Sequence, residues 1–356
     1  MTIKMRPHTV QLREVGTEAW LPAEVPGSAQ TALLARGKIP DPFVADNELR
    51  VQWVAERDWE YRLRFEARED LAEEDRVMLV FDGLDTLAEV SINGKALGSA
   101  ENMFRRYAWD VTEALVAGEN EVRVLLHGPA PFIRARQAVE PLIDPTHSLP
   151  GGPHIRKAPC QFGWDWGPKL PPVGIWKDVR LEGYTAARLD DVHLRQHHDD
   201  GEVALSVDLT VERWQEDAEL KTALTVTAPD GETQAVDAAL DGDAAQLTLA
   251  VSDPQLWWPN GLGDQPLYDV EVTLTTGDEI CDARTFQIGL RTLELRQEPD
   301  DFGTSFTFVV NGVSIFAKGA NWIPADSFPS RITDEQLVGL IRSAADANMN
   351  MLRIWG

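Results

Sequence analysis

What most constrains this chain is a rhythm: short runs in which apolar and polar residues alternate, each closed by a turn signal. Tyr61, Leu63 and Phe65 alternate with polar neighbours, and Ala88, Val90 and Ile92 do the same before running into Asn93-Gly94. A period of two marks a strand with one buried face. Asn-Gly after such a run is a strong hairpin signal, because both central residues of a type I′ turn need positive φ. Val77 to Phe81 is a compact apolar run, and Val122, Val124 and Leu126 make another strand. Short strands with regular turns predict a β-sandwich. A second series follows: Val203, Leu205, Val207 and Leu209; Leu224 and Val226 ahead of Asp230-Gly231; Leu247 and Leu249; then Val270, Val272 and Leu274. The stretch 186–296 has the length of an immunoglobulin-like sandwich but lacks the Cys–Trp–Cys pattern of antibody domains, so strand rhythm alone carries that reading.

After residue 296 the grammar changes. Phe306 to Val310 predicts a strand, Asn311-Gly312 a turn, and Val313 to Lys318 a second strand. A loop with two prolines runs from Gly319 to Ile332. Thr333 with Gln336 forms a capping box, and Asp334 and Glu335 favour the positive end of the helix that follows. Leu337, Leu340, Ile341 and Ala344 share one face of it, Asn348 to Asn350 break it, and Met351 to Trp355 reads as a buried strand. That order, strand–loop–helix–strand, is one parallel crossover unit. If it opens a (β/α)8 barrel, about 250 residues are typical of the fold, and the chain is expected to stop early, at Gly356, after the second barrel strand.

Charge and composition remove several function classes. A net charge of −25 argues against nucleic acid or an anionic membrane as partner, since both need clustered Lys and Arg. Only 8 of the 33 basic residues are Lys. The chain has two cysteines, Cys160 and Cys281, which lie far apart in sequence and do not make a disulfide framework. Met1 to Trp20 carries charges throughout, unlike a signal peptide, and no apolar run is long enough to span a bilayer. A soluble, cytoplasmic protein is expected. Twelve Trp against four Tyr point to a chain that handles flat apolar ring faces, with large sandwich-core aromatics as the competing explanation.

Neither a phosphate-binding glycine loop nor a Gly-x-Ser-x-Gly elbow is present. His193, His197 and His198 beside Asp199 and Asp200 have no zinc-type spacing and are expected on a solvated loop between sandwiches. The sharpest local feature is Gly163-Trp164-Asp165-Trp166-Gly167-Pro168, whose glycines and proline predict a tight loop. Two Trp around one carboxylate offer a saccharide both ring stacking and hydrogen bonding. A structural corner, with buried Trp and Asp165 capping amides, fits the same residues. Leu256-Trp257-Trp258-Pro259-Asn260-Gly261 reads as a plug for the end of a sandwich. Lys318 to Asp326 and Asn350 to Gly356 fall at the ends of the two predicted barrel strands, the side on which enzymes of that fold place their active sites.

Taken together, Phe81-Asp82-Gly83-Leu84-Asp85-Thr86 with Ile92-Asn93-Gly94-Lys95, Phe162 to Pro168, Trp257-Trp258-Pro259 through Gln265-Pro266-Leu267-Tyr268, Ile288-Gly289-Leu290-Arg291, Lys318 to Phe328 and Asn350 to Gly356 resemble the β-mannosidases of glycoside hydrolase family two, in order and over nearly the whole chain. The resemblance implies a mainly β protein: a jelly-roll-like, galactose-binding-type sandwich over 1–185, an immunoglobulin-like sandwich over 186–296, and over 297–356 the first β-α-β unit of an incomplete (β/α)8 barrel. It implies a retaining exo-hydrolase of terminal β-mannose, working without cofactor or metal through two carboxyl groups about 5 to 5.5 Å apart. In the family both are glutamates on later barrel strands, which would lie past Gly356, so no catalytic residue is expected in this chain. Trp164 and Asp165 match the loop reaching into the sugar subsite and Trp355 an aromatic at its floor. Arg353 matches an arginine that steadies the nucleophile, and Asn321 and Trp322 are further supporting positions. The implied partners are a β-mannoside or oligosaccharide substrate and a separately made C-terminal half, with no nucleic acid and no membrane. A non-catalytic carbohydrate-binding sandwich is the alternative reading.

Overall fold

The structure is a computed structural model that describes residues 2–3, 7–72 and 74–355. Met1 and Gly356, the two ends of the stretches read above, lie outside the described residues. The chain forms two compact units: one holds Thr2–Gly183 with Ile323–Leu337 and Trp355, the other Tyr184–Trp322 with Val338–Ile354.

The first unit is a two-layer sandwich. Its larger sheet runs Leu21–Pro22, Thr9–Glu14, Trp59–Ala67, Gly118–Leu126, Ala88–Ile92, Lys95–Ala100, and its smaller sheet runs Thr2–Ile3, Val179–Tyr184, Arg76–Phe81, Tyr107–Asp110. Register places Tyr61 between Leu12 and Val124, and Leu63 opposite Val122, so the alternating residues meet on one face. Trp59, Tyr61, Leu63 and Phe65 are buried there with Leu79 and Phe81 of the other sheet. Asn93 and Gly94, at φ 49° and 83°, make the expected hairpin between Ala88–Ile92 and Lys95–Ala100. The strand rhythm gave no sign of two helices. Ala29–Ala35 is capped by a reciprocal Ser28–Thr31 box, and Pro129–Val139 opens on a proline, whose missing N–H costs nothing there. Phe328 also enters this core, 1% exposed, with Phe43 edge-on at 5.9 Å and the Arg331 guanidinium over both rings.

The second unit begins with another sandwich. One sheet runs Ala187–Asp199, Glu202–Arg213, Ala244–Val251, and the other runs Thr233–Ala239, Leu220–Thr227, Tyr268–Thr276, Glu279–Ile288. Leu205, Val207, Leu224, Tyr268, Val272 and Leu274 fill the space between them. The histidines are not in a loop: His193, His197 and His198 lie on the Ala187–Asp199 strand, and the turn is Asp200-Gly201, both at positive φ. Strand pairing with Glu202–Arg213 has claimed the polar residues, and His197 bonds Ser206 at 2.7 Å while His198 bonds Gln196 at 3.1 Å. Trp257 and Trp258 are half-buried in their turn. Trp257 lies against Gly289, with the Arg291 guanidinium 4.7 Å from its ring centre, and Trp258 lies against Gly263.

Beyond this sandwich two expectations change. Val313 to Lys318 is not the parallel strand. Val313–Ile315 folds back antiparallel on Thr307–Val310, because Asn311 and Gly312, at φ 50° and 78°, make a tight hairpin. The parallel partner of Met351–Ile354 is Gly319–Trp322, in register Gly319 with Met351 through Trp322 with Ile354. Asn350 sets this register: its side chain accepts from Lys318 N at 2.8 Å and donates to Phe316 O at 3.1 Å. The intervening helix is Asp334–Asp346, with the Thr333–Gln336 capping bonds at 2.9 and 3.2 Å, and it ends before Asn348 at φ 59°. Nor is the strand buried. Met351 and Leu352 are half-buried, Arg353 and Ile354 exposed, and no residue of the helix is buried. A two-stranded sheet has nothing stacked on its faces unless other layers cover it. No helix of the described residues is long and apolar enough to cross a membrane.

Candidate functional site

The Gly163–Pro168 loop belongs to the first unit. It leaves the sandwich through Phe162, which is 1% exposed and packed with Ile133 and Ile155. Gly163 then sits at φ +105°, where a Cβ would lie 2.6 Å from Lys169 Cγ and 3.2 Å from His147 O, so a side chain meets both strain and a clash. Trp164 and Gly167 exchange backbone hydrogen bonds at 3.1 and 3.3 Å, which makes Asp165-Trp166 the tip of a two-residue turn.

The aromatic side chains of this turn gather around Trp355. The Trp164 and Trp355 rings stand edge to face at 5.5 Å and 87°, and Trp166 tilts against Trp355 at 5.9 Å. His147, from a neighbouring loop, stands edge-on to Trp164 at 5.1 Å. Both turn tryptophans are half-buried, and Asp165 is exposed beside them. Trp166 Nε1 is buried without a partner among the described residues. The sequence-predicted set of Trp164, Asp165 and Trp355 is therefore brought together, and His147 joins it without any motif having marked it. An exposed carboxylate at the rim of aromatic rings supplies a hydrogen-bond acceptor next to apolar faces, which is what a sugar ring needs from a protein surface.

Arg353, Asn321 and Trp322 lie in the second unit. Asn321 and Arg353 face each other across the parallel pair, and Arg353 Nη1 donates to Asn321 Oδ1 at 3.1 Å. Both are exposed, and Trp322 is half-buried. Asp326 is committed elsewhere: it accepts from Phe328 N and the Arg331 guanidinium, each at 2.7 Å.

Sequence reasoning missed one pair close to the loop. Lys157 and Asp85 are both fully buried and bonded to each other at 2.5 Å. Asp85 lies within the Phe81–Thr86 motif, but no local pattern marks a lysine as buried. Its only signal is apolar and proline-rich sequence downstream, Leu170 to Ile175, with nothing to solvate a charge.

Comparison with known proteins places this architecture. The glycosyl hydrolase 2 galactose-binding domain-like region matches residues 10–177, and the glycosyl hydrolases family 2 domain matches residues 187–291. The chain belongs to glycosyl hydrolase family 2, a family of glycoside hydrolases. Relatives within that family include β-mannosidases. Beta-mannosidase B of Emericella nidulans is 38% identical over 95% of this chain, and the β-mannosidase of Capra hircus 35% over 94%. The crystal structure of β-D-mannosidase from Dictyoglomus thermophilum superposes with a TM-score of 0.93 at 36% identity, over 100% of this chain and 44% of that one. An exo-chitosanase from Amycolatopsis orientalis shares the fold, at a TM-score of 0.76 and 21% identity over 100% of this chain and 41% of that one. The chain spans 41% of the length of the Emericella protein and 40% of the Capra protein.

Proposed function

We propose that this chain supplies the sugar-positioning part of a retaining exo-β-mannosidase, acting on terminal β-D-mannose. The observation that carries the reading is the exposed Asp165 at the tip of a turn whose Trp164 and Trp166 pack on Trp355. On this reading Asp165 accepts a hydrogen bond from a sugar hydroxyl, and Trp164 and Trp355 shape the apolar side of the subsite. Arg353 steadies a nucleophilic carboxylate, with Asn321 holding the guanidinium and Trp322 supporting the strand. On this reading the acid/base and nucleophile glutamates belong to barrel strands other than Gly319–Trp322 and Met351–Ile354, and residues 1–356 alone are expected to hydrolyse nothing. Residues 1–185, 186–296 and 297–356 are then the galactose-binding-like sandwich, the immunoglobulin-like sandwich and the opening of a (β/α)8 barrel. The parallel Gly319–Trp322 and Met351–Ile354 pair with its crossover helix supports that last assignment.

The test is saturation-transfer NMR of the chain with methyl β-D-mannoside, using methyl β-D-galactoside as comparison. Mannoside signals are expected with the wild type and lost in Asp165→Ala, without a change in melting temperature, because Asp165 is exposed. Equal transfer to both sugars, or binding that survives Asp165→Ala, refutes the assignment. Turnover of an aryl β-mannoside by the chain, lost in Asp165→Ala, refutes the absence of catalysis.

A further inference from the structure

The Trp164–Gly167 turn is the tip of a long excursion from the first sandwich, between the Pro129–Val139 helix and the Gly174–Ile175 strand. The geometry points to Lys157 as a positioning residue: its buried ammonium ties the entry of the excursion to its exit and fixes both to the sandwich at Asp85. This deepens, and rests on, the reading of the turn as a sugar contact.

Lys157 Nζ donates to Asp85 Oδ2 at 2.5 Å and to Pro172 O at 2.9 Å. The lysine stands 7 residues before Trp164, and Pro172 follows Gly167 by 5, so one side chain closes the base of the loop around its tip. Asp85 belongs to a two-residue strand that pairs with the exit strand, in register with Gly174. Its second carboxylate oxygen accepts from the Thr86 hydroxyl. The exit is held independently. The buried Gln30 amide donates to Pro171 O and accepts from Val173 N, at 2.8 and 3.2 Å, and Lys169 is bonded through its backbone to Glu48 and Gln52. The entry is held by backbone donors, Met103 N to Arg156 O and Ala158 N to Met103 Sδ, both at 3.0 Å, by the buried Phe162, and by the lysine, the charged tie that also reaches the exit.

Stability does not explain such a pair. Both side chains are 0% exposed, and replacing a buried ion pair by apolar groups of similar volume is often neutral or stabilising. Burial pulls the Lys157 ammonium below its ordinary pKa, with Asp85 opposing the shift. What apolar groups cannot supply is direction. An ammonium is a point charge with three donors, able to hold a carboxylate and a carbonyl from different segments at one place. Catalytic and binding groups need such support, because a small displacement of a sugar contact forfeits much of its effect.

Hydrogen–deuterium exchange on the full chain tests this, with Lys157→Met, the double variant Asp85→Asn with Lys157→Met, and mannoside affinity measured on the same proteins. The single variant leaves a buried carboxylate uncompensated and is expected to melt lower. The double variant removes both charges and keeps the proposal testable if the single one does not fold. In the double variant, exchange over residues 158–172 is expected to rise by about ten-fold or more, the change that loss of local pinning produces. Exchange in Trp59–Ala67 and Gly118–Leu126 stays unchanged, and methyl β-mannoside affinity falls by about ten-fold at a temperature where the sandwich is fully folded. Unchanged exchange over 158–172, or a rise spread evenly over the sandwich, overturns the positioning role. Local loosening in a chain whose wild type binds no mannoside overturns the sugar reading and leaves Lys157 as the pin of the loop.

Discussion

Replacing Gly83 by alanine tests whether the packing between the first sandwich and its exit strand is as tight as the structure has it. A Cβ on Gly83 would lie 2.4 Å from Nε1, 2.8 Å from Cε2 and 3.0 Å from Cδ1 of Trp176. This is the body of a rigid ring, not the end of a flexible chain, and the ring is fixed because Trp176 Nε1 donates to Met103 O at 3.0 Å. The backbone of Gly83 is not at positive φ, so the cost is steric and not conformational. Overpacking of this kind costs about 1–3 kcal/mol, and pulling the indole off its carbonyl adds about 1 kcal/mol. The sum, roughly 2–4 kcal/mol, corresponds to a melting shift on the order of 5–15 °C for a unit of this size. Differential scanning calorimetry measures it. In a Trp176→Ala background, which lacks the atoms that clash, the same Gly83→Ala change is expected to cost much less. Gly167→Ala is the control: no atom lies within 4 Å of its Cβ, and φ is not positive, so the change should stay within about 0.5 kcal/mol. A Gly83→Ala chain that melts within about 1 °C of wild type, where a cost above 2 kcal/mol is expected, refutes the reasoning.

Tyr268→Phe removes the hydroxyl that accepts from Gln255 N at 2.9 Å on a fully buried ring, and about 1 kcal/mol should be lost in urea unfolding with the m-value unchanged. His127 gives a pH dependence. Burial lowers its pKa, but hydrogen bonds to Glu89 and Asp58 outweigh burial and set the net direction upward. A folded-state pKa above the unfolded one means that the contribution is fully present below about pH 6.5 and fades as pH rises through the folded value. The ring is partly exposed, so the effect is discounted to about 0.5 kcal/mol. His127→Gln should therefore cost more at pH 5.5 than at pH 8.5 in urea titrations, and the reverse order refutes it.

The two sandwiches were legible because period-two burial is a local property. Once one face of Trp59–Ala67 is committed to the core, a one-residue slip would expose Tyr61, Leu63 and Phe65 together, and the sequence shows that directly. The hairpin turns were legible for a related reason, since Asn93-Gly94 and Asn311-Gly312 state their backbone geometry in two letters. The second of these also explains the misplaced strand. The turn is explicit in the sequence, but its consequence, that Val313–Ile315 must pair back on Thr307–Val310, leaves the parallel strand to start later, at Gly319. Non-local facts were not legible. Phe328 sits in a Pro-rich loop far along the chain and is buried in the first sandwich, and Lys157 meets Asp85 across 72 residues.

The Trp164–Gly167 turn carries two competing readings, and its geometry favours the sugar contact proposed above over a structural corner. A structural corner requires buried tryptophans and an aspartate spent on backbone amides; a sugar contact requires exposed aromatic area and an aspartate held free of such duties. Here Trp164 and Trp166 are only half-buried, the turn is closed by backbone bonds between Trp164 and Gly167, and Asp165 is exposed at its tip. The work of a corner is done by other groups: Phe162 in the core, Gly163 at positive φ, Gln30 at the exit and Lys157 across the base. On the proposed reading the anchoring is delegated to these residues and the exposed Asp165 is left for a ligand, so substitution of Asp165 should move binding without moving stability, whereas substitution of Trp164 or Trp166, which pack on Trp355, should move both.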